Sequence, residues 1–393
     1  MKATHTLWVR LFAQWDYFAP RSTSLNNPND SQFVAMQKGL DTDIKAAKSI
    51  TGQKVILTTR GFPGTSATPP PRGAWIPDEG PQPNNQYSFP QPQYLMPSVS
   101  PTPPALDGPY AQWLMYLMDR YHPSNPNPPV RGASIDYLEV VNEPNQEIGP
   151  GSAAVHATAL MFNTAHSAAV SVNAKYPGQP IRLLGPATAD SRIPPSPQQG
   201  YKAFTEALLD ELQALPGVGF HSKIFGWSHH NYRAVEHIAF ALTGMSAGMI
   251  TALVDVSRRI HQSSPNTITP MDKFYGGSTQ NVRNILRGRW FGWGTSGQNP
   301  QLWLTEGGAR LGTEWVHGDK QLQAVAVGAA AEVLGTHRGG TASLAEPGQG
   351  VEMFTNFLFY SERGNDSGLR NPAPGGAKRP VYGSWTQFKY PGG

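Results

Sequence analysis

The chain has 393 residues, of which 39% are hydrophobic and 15% are charged, and its formal net charge is +4. So small a charge over this length does not favour a nucleic-acid-binding protein. Because the chain has no cysteine, disulfides and thiolate metal sites are excluded. The 41 glycines and 37 prolines predict long, shaped loops within a globular protein.

No window approaches the roughly 18 consecutive apolar residues that indicate a membrane-spanning helix. The amino terminus, MKATHTLW, also lacks the apolar segment of a signal peptide. We therefore expect a soluble protein that makes no membrane contact, secreted only if a signal precedes the given start. The compartment and the oligomeric state stay open.

Taken in chain order, apolar and β-branched runs predict seven strands, which begin near residues 7, 54, 137, 181, 224, 302 and 352. Segments with helical spacing of apolar residues, or rich in alanine, lie between them at 31–50, 107–121, 152–176, 201–215 and 320–334. Strands that alternate with helices favour right-handed βαβ units and a parallel sheet. A closed barrel of this kind has eight strands, one more than the pattern supplies.

Two long segments interrupt this alternation. Residues 61–105 are dense in Pro, Gly, Ser and Gln, and we interpret them as a wall of a binding cleft. Residues 233–300, which include helical pieces, form the longest excursion between two strands. We expect both to be long loops of a single domain spanning 1–393.

Two glutamates follow apolar strands at their carboxyl ends. Glu143 comes after Asn142 and just before Pro144, which ends the strand that begins near Tyr137. Glu306 ends the run Leu-Trp-Leu-Thr and is followed by two glycines. Because parallel barrels carry their chemistry at this edge, the pair suggests two carboxylates facing one pocket. A solvated loop position is the alternative for each glutamate taken alone.

Several motifs in register resemble the retaining glycoside hydrolases of the TIM-barrel clan A, most of all glycoside hydrolase family 39. They are the segments 137–145, 185–188 (Gly-Pro-Ala-Thr), 230–232 (His-Asn-Tyr) and 378–382. The resemblance implies a (β/α)8 barrel in which Glu143 ends the fourth strand. The strand near residue 7 is then the second, so the first strand is missing or modified.

The resemblance also implies a carbohydrate substrate and a two-glutamate double displacement that hydrolyses β-linked glycosides or polysaccharide. In that reaction Glu143 is the acid/base and holds a proton, whereas Glu306 is the nucleophile and stays ionised. Asn142 would donate to the sugar 2-hydroxyl, with a loop-capping role as the alternative. No cofactor and no metal are expected, since two carboxylates suffice and adjacent histidines at 229 and 230 would point to opposite sides of a strand.

Three further residues receive supporting roles from the same resemblance. Tyr232 would donate to Glu306, and His230 would join that network or contact the sugar; a packed aromatic ring and a structural histidine are the alternatives. Arg10 would lie near Glu306 and favour its charged form. An ion pair with Glu139 inside the barrel is the other possibility for Arg10.

Four tryptophans lie in or near predicted loops, where their rings could stack on sugar faces: Trp15, Trp75, Trp227 and Trp315. Two other functions stay open. A catalytically inactive barrel would only bind glycans and would have no use for a nucleophile. An inverting hydrolase would hold its carboxyls roughly 6.5–9.5 Å apart rather than about 5 Å.

Overall fold

A computed structural model of the chain describes residues 8–15, 27–50, 52–60, 108–148, 151–190, 200–215, 224–263, 278–289, 302–310, 319–336 and 351–356, with the single residues 25, 106, 316 and 378. The chain divides into two compact units. The amino-terminal unit consists of Thr6–Thr188 and Ile193–Gly226. The carboxyl-terminal unit consists of Trp227–Gly393 with Met1–His5 and Ala189–Arg192.

The amino-terminal unit contains a four-stranded parallel sheet whose strands follow one another in chain order. They are β1 (Trp8–Gln14), β2 (Lys54–Arg60), β3 (Tyr137–Glu139) and β4 (Arg182–Leu184). The helices of this unit are α1 (Ser31–Lys48), α2 (Pro109–Arg120), the single turn α3 (Pro144–Glu147), α4 (Ser152–Lys175) and α5 (Tyr201–Ala214).

The second sheet has the strand order β5 (Thr188–Ala189), β6 (Trp227–His230), β7 (Leu302–Gly307) and β8 (Val351–Asn356). Strand β5 begins at the last residue of the amino-terminal unit. The helices described in the carboxyl-terminal unit are α6 (Tyr232–Leu242), α7 (Ala247–Ser263), α8 (Ser278–Arg289) and α9 (Lys320–Thr336). The protein is thus α/β with parallel strands, as predicted, and its described strands form two sheets and not one closed barrel.

Local sequence explains why these elements form where they do. Helix α1 begins because the side chain of Asp30 accepts the backbone N–H of Phe33 at 3.0 Å, which satisfies one of the unpaired donors of its first turn. Its buried face carries Phe33, Leu40 and Ile44 at helical spacing. Strand β2 is buried along its centre, and Leu57 pairs with β1 on one side and β3 on the other, as its continuous apolar run predicts.

All seven predicted strand positions carry strands, and the structure adds one short strand that was not predicted. The chain near residue 181 forms β4 and then β5, with Gly185 and Pro186 between them. Pro186 has no N–H to give to a ladder. Backbone bonds from Gly185 to Gly226 (2.8 Å) and from Ala187 to Val141 (3.1 Å) continue the pairing on either side of it.

One predicted strand boundary changes in the structure. Strand β6 lies at 227–230 and not at 224–227, so both histidines are inside the strand. The described part of 233–300 contains helices α6, α7 and α8, in agreement with the helical pieces expected there. The segment 61–105, with Trp75, lies outside the described residues, as do Trp315 and most of 378–382. Within the described ranges, none of the helices is both long and apolar enough to cross a lipid bilayer.

Two of the tryptophans expected to face a sugar are packing residues instead. Trp15 and Trp227 are both 0% exposed. The ring of Trp15 stacks on Trp113 with centroids 5.6 Å apart and an interplanar angle of 15°, and it contacts Tyr110 at 5.3 Å. The expectation that these two rings lie open in loops is therefore wrong, because burying an indole removes a large apolar surface from water.

This packing role predicts that Trp15→Ala lowers the free energy of unfolding by about 3–5 kcal/mol, the usual cost of deleting a buried aromatic ring. The matched control Val170→Ala removes a side chain that is 55% exposed and is expected to change stability by less than about 0.5 kcal/mol. Thermal and urea unfolding of the two variants measure the difference. A cost for Trp15→Ala as small as that of the control would contradict the packing role.

Candidate active site

The backbone at the end of β3 places Glu143 in an uncommon conformation. Asn142 is still paired with its neighbours: its N–H donates to the carbonyl of Thr59 at 3.1 Å, and it bridges to Ala187. At Glu143 the backbone turns to φ 36° and ψ 54°. Among the described residues this is the one residue other than glycine with positive φ.

The left-handed conformation has a local cause. Pro144 disfavours the right-handed helical region for the residue before it, and as the first residue of α3 it fixes where the helix starts. The carbonyl of Glu143 accepts the N–H groups of Gln146 (2.8 Å) and Glu147 (2.7 Å), which ties the turn to α3. A left-handed residue with a Cβ costs about 1–2 kcal/mol, and such strain concentrates at functional sites.

The side-chain amide of Asn142 is oriented by two charged neighbours. Its Oδ1 accepts from the Nη2 of Arg10 at 2.8 Å, and its Nδ2 donates to the Oε1 of Glu147 at 2.5 Å. A guanidinium only donates and a carboxylate only accepts, so the amide can lie only this way round. One N–H of Asn142 remains to meet a further acceptor.

Arg10 pairs with Glu139, the second of the two possibilities raised by the sequence. Its Nε donates to the Oε2 of Glu139 at 2.8 Å, its Nη2 contacts the same oxygen, and Thr58 donates to it at 2.8 Å. The side chains of Arg10 and Glu139 are 6% and 0% exposed. Since a buried charge is tolerated only when it is paired, this ion pair fixes the guanidinium that holds Asn142.

Glu147 was not singled out in the sequence, although it belongs to the same network. It accepts from Asn142 and forms an ion pair with the Nη2 of Arg60 at 2.9 Å. It lies four residues beyond Glu143 in the one-turn helix α3. Its signal was faint, because an acidic residue in the first turn of a helix is common for dipole reasons alone.

In the carboxyl-terminal unit, Glu306 lies within β7 and its side chain is 7% exposed. The register of the sheet pairs it with His230 of β6, and its backbone carbonyl accepts the N–H of Asn231 at 3.2 Å. Tyr232 donates its phenolic O–H to the Oε1 of Glu306 at 2.5 Å. The Nδ1 of His230 lies 3.7 Å from Oε2. These three side chains therefore meet as the His-Asn-Tyr motif predicted.

The ring of Tyr232 also contacts the guanidinium of Arg310, which forms an ion pair with Glu236. The guanidinium carbon of Arg310 lies 5.1 Å from the centre of the Tyr232 ring. Arg310 in turn binds both carboxylate oxygens of Glu236, at 2.6 and 3.1 Å. Glu236 follows Tyr232 by one turn of α6, so the helix and the segment after β7 are joined beside Glu306.

Asp190 is a buried carboxylate that the sequence reasoning missed. It is 5% exposed and accepts the backbone N–H groups of Arg233 (3.0 Å) and Ala234 (3.2 Å) and the hydroxyl of Ser278 (2.5 Å). Burial raises the pKa of Asp190 from 3.8 to about 6; the hydrogen bonds oppose this rise and the charge of Glu236 adds to it. Its position just beyond the Gly-Pro-Ala-Thr motif was the available signal.

The structure thus assembles the predicted residues in two groups. In the amino-terminal unit, Asn142 and Arg10 join one hydrogen-bonded network at the residue that precedes Glu143. In the carboxyl-terminal unit, Glu306 is surrounded by Tyr232 and His230. Trp15 belongs to neither group. Each group has one glutamate at or near the carboxyl end of a parallel strand, the edge at which parallel barrels carry their chemistry.

The structure is similar to those of glycoside hydrolases of family 39 and family 5. A family 39 glycoside hydrolase from Bacteroides cellulosilyticus WH2 has 13% identity and a TM-score of 0.46, with 98% of this chain and 58% of that chain covered. A glucosidase from Croceicoccus marinus has 14% identity and a TM-score of 0.48, with 98% and 61% covered. A family 5 xyloglucanase from Paenibacillus pabuli has 12% identity and a TM-score of 0.47, with 98% and 88% covered.

The chain therefore spans about three fifths of the length of the first two of these proteins. No protein-family model and no curated protein sequence matches the chain.

The buried pair of Arg10 and Glu139 generates the first prediction for this site. Arg10→Met leaves the Glu139 carboxylate buried without its guanidinium and is expected to lower the free energy of unfolding by about 3–5 kcal/mol. Lys175→Met, which breaks the exposed pair of Lys175 with Asp119, should cost less than about 1 kcal/mol. Urea unfolding measures both changes in the free energy of unfolding. Equal changes would show that breaking the buried ion pair is no more destabilising than breaking the exposed one.

Asp190 predicts a pH dependence of stability. Because its pKa is raised from 3.8 to about 6 in the folded protein, its contribution is fully present below about pH 4 and is lost as the pH rises through about 6. Relative to Asp190→Asn, which does not ionise, the wild type should lose up to about 3 kcal/mol between these limits. Unfolding measured from about pH 4 to 7 on both proteins tests this; a difference that stays constant with pH would refute it.

Proposed function

We propose that the protein is a retaining glycoside hydrolase that cleaves β-linked glycosides or polysaccharide with Glu143 and Glu306. The observation that carries this proposal is the environment of Glu306. A carboxylate inside a parallel strand, almost fully buried and bound by a phenol, is held ready in one orientation. A buried carboxylate is costly to keep in a structural position, whereas a carboxylate held by a phenol in one orientation suits a nucleophile.

In the proposed reaction the substrate binds with its glycosidic bond between the two carboxyl groups, about 5 Å apart as retention requires. Glu143 gives its proton to the leaving oxygen while an oxygen of Glu306 attacks the anomeric carbon, which breaks the glycosidic bond and forms a glycosyl ester. Glu143, now ionised, takes a proton from water. That water attacks the anomeric carbon, releases Glu306 and yields the sugar with its original anomeric configuration.

The neighbouring side chains have distinct tasks in this scheme. Tyr232 donates to Oε1 of Glu306, which leaves Oε2 to attack and stabilises the leaving carboxylate in the second step. Asn142 directs its second amide N–H at the sugar 2-hydroxyl, a contact that strengthens in the transition state. Arg10 acts on Asn142, whose Oδ1 it binds, and so supports the amino-terminal half of the site.

The strained backbone at Glu143 supports its role as the acid/base. The backbone makes a left-handed turn at Glu143 directly after Asn142, and the short helix α3 holds that turn in place. The side chain of Glu143 makes no capping bond to α3, so the strained backbone conformation suits a role in the reaction better than a role as a helix cap. The proposal includes the fold, a single (β/α)8 barrel whose first strand is missing or modified.

Hydrolysis of aryl β-glycosides tests the proposed function. Glu306→Ala removes the nucleophile and should lower kcat/KM by more than about 10³-fold. Glu143→Ala should cost about 10²–10⁴-fold for a leaving group that needs a proton, and far less for a dinitrophenyl leaving group that needs none. Glu211→Ala, which removes a carboxylate paired with the half-exposed His156, is the control and should leave kcat/KM unchanged.

The configuration of the first sugar released, followed by NMR, separates retention from inversion. Retention with loss of activity in Glu306→Ala is the expected result. Turnover unaffected by that substitution would overturn the nucleophile, and glycan binding without turnover in the wild type would indicate a binding protein.

A further inference from the structure

The helix that carries Tyr232 is capped by a residue from another strand. Tyr232 is the first residue of α6, and the residue at the N-cap position, Asn231, makes no side-chain capping bond. Instead, Asp190, which directly follows β5, accepts the N–H groups of Arg233 and Ala234, the second and third residues of the helix. A carboxylate here satisfies two donors that the helix cannot pair itself and complements the helix dipole.

Asp190 also contacts two other elements of the carboxyl-terminal unit. Its backbone N–H donates to the carbonyl of His230 in β6 at 3.1 Å, and its Oδ2 accepts from Ser278, the first residue of α8. Asp190 therefore fixes the start of α6 relative to β6 through its backbone and relative to α8 through its carboxylate. Because Tyr232 is the first residue of α6, any shift of this helix end moves its phenol relative to Glu306.

We propose that Asp190 is a positioning residue for the reaction, which holds the phenol of Tyr232 against the carboxylate of Glu306 by capping α6 from β5. The proposal rests on the function assigned above to Glu306. Asp190 touches neither Glu306 nor the sugar in this scheme and acts through the helix alone.

The alternative is a purely structural cap, which would affect stability and leave the active carboxylate alone. A double-mutant cycle separates the two, because residues that act through one another are not additive. Asp190→Asn should lower kcat about tenfold and change KM less than about twofold, since the ground-state contacts of the sugar are untouched. In a Tyr232→Phe background the same substitution should lower kcat less than about twofold.

Two further variants show whether a loss of kcat comes from the cap itself or from a general loss of folded protein. Ser278→Ala removes one hydrogen bond from Asp190 and keeps the carboxylate, so it should lower kcat by a smaller factor, about threefold. Asp43→Asn, at an exposed position on α1, is the matched control for loss of a carboxylate and should leave kcat unchanged. Equal losses from Asp190→Asn with and without Tyr232, or a loss of stability with no change in kcat, would overturn the proposal.

A readout that does not depend on activity is the ¹⁹F NMR signal of Tyr232 in protein labelled with fluorotyrosine, assigned by its loss in Tyr232→Phe. Asp190→Asn should shift this signal and abolish its titration between about pH 5 and 7, where the raised pKa of Asp190 places its ionisation. The other charged groups near the cap are Glu236 and Arg233 on α6, Arg310 after β7 and His230 on β6. Glu236→Gln tests whether the titration belongs to the helix instead.

The hydrolysis assay and the ¹⁹F signal distinguish failure of the proposed function from failure of the proposed role of Asp190. If the wild-type protein hydrolyses no glycoside, the proposed function fails, and a ¹⁹F signal that still responds to Asp190→Asn supports the link between Asp190 and Tyr232. If hydrolysis is intact and depends on Glu306, but the signal is the same in Asp190→Asn and in the wild type, the link is overturned and the function stands.

Discussion

A buried carboxylate must be met by donors, and this constraint shapes the carboxyl ends of both parallel sheets. Glu139 is met by Arg10 and Thr58, and Glu306 by Tyr232. Leaving either group unmatched in the interior would cost several kcal/mol, so its partners are fixed in place. Each partner is also part of something else: Arg10 binds the amide of Asn142, and Tyr232 is the first residue of α6.

The carboxyl-terminal unit has the larger of these networks, because three charged side chains contact or belong to the same helix, α6. Asp190 binds the first N–H groups of α6, Glu236 lies one turn into the helix, and Arg310 bridges Glu236 to the ring of Tyr232. Each is buried or nearly so and each is paired. Hydrogen bonds and ion pairs connected in this way restrict the movement of the first turn of α6, and with it the phenol of Tyr232.

A strand that places buried polar side chains beside Glu306 lacks the apolar pattern by which strands are predicted from sequence. Strand β6 reads Trp-Ser-His-His and is fully buried, although only its first residue is apolar. The apolar run just before it drew the predicted strand three residues too early. Likewise, Trp15 directly follows β1, and its ring fills the core beside Trp113, because burial is decided by which helix packs against the sheet and not by the neighbours in the chain.

The sequence by itself determined the order of strands and helices, and it located Asn142, Glu143 and Glu306 at strand ends, because apolar periodicity and the stop imposed by Pro144 are local properties of the chain. It also paired Tyr232 with Glu306, through the resemblance carried by the His-Asn-Tyr motif. Only the tertiary structure decided that Arg10 binds Glu139, 129 residues away, and that Asp190 caps α6. Those contacts follow from strand order and register, which bring together residues whose separation along the chain carries no pattern of its own.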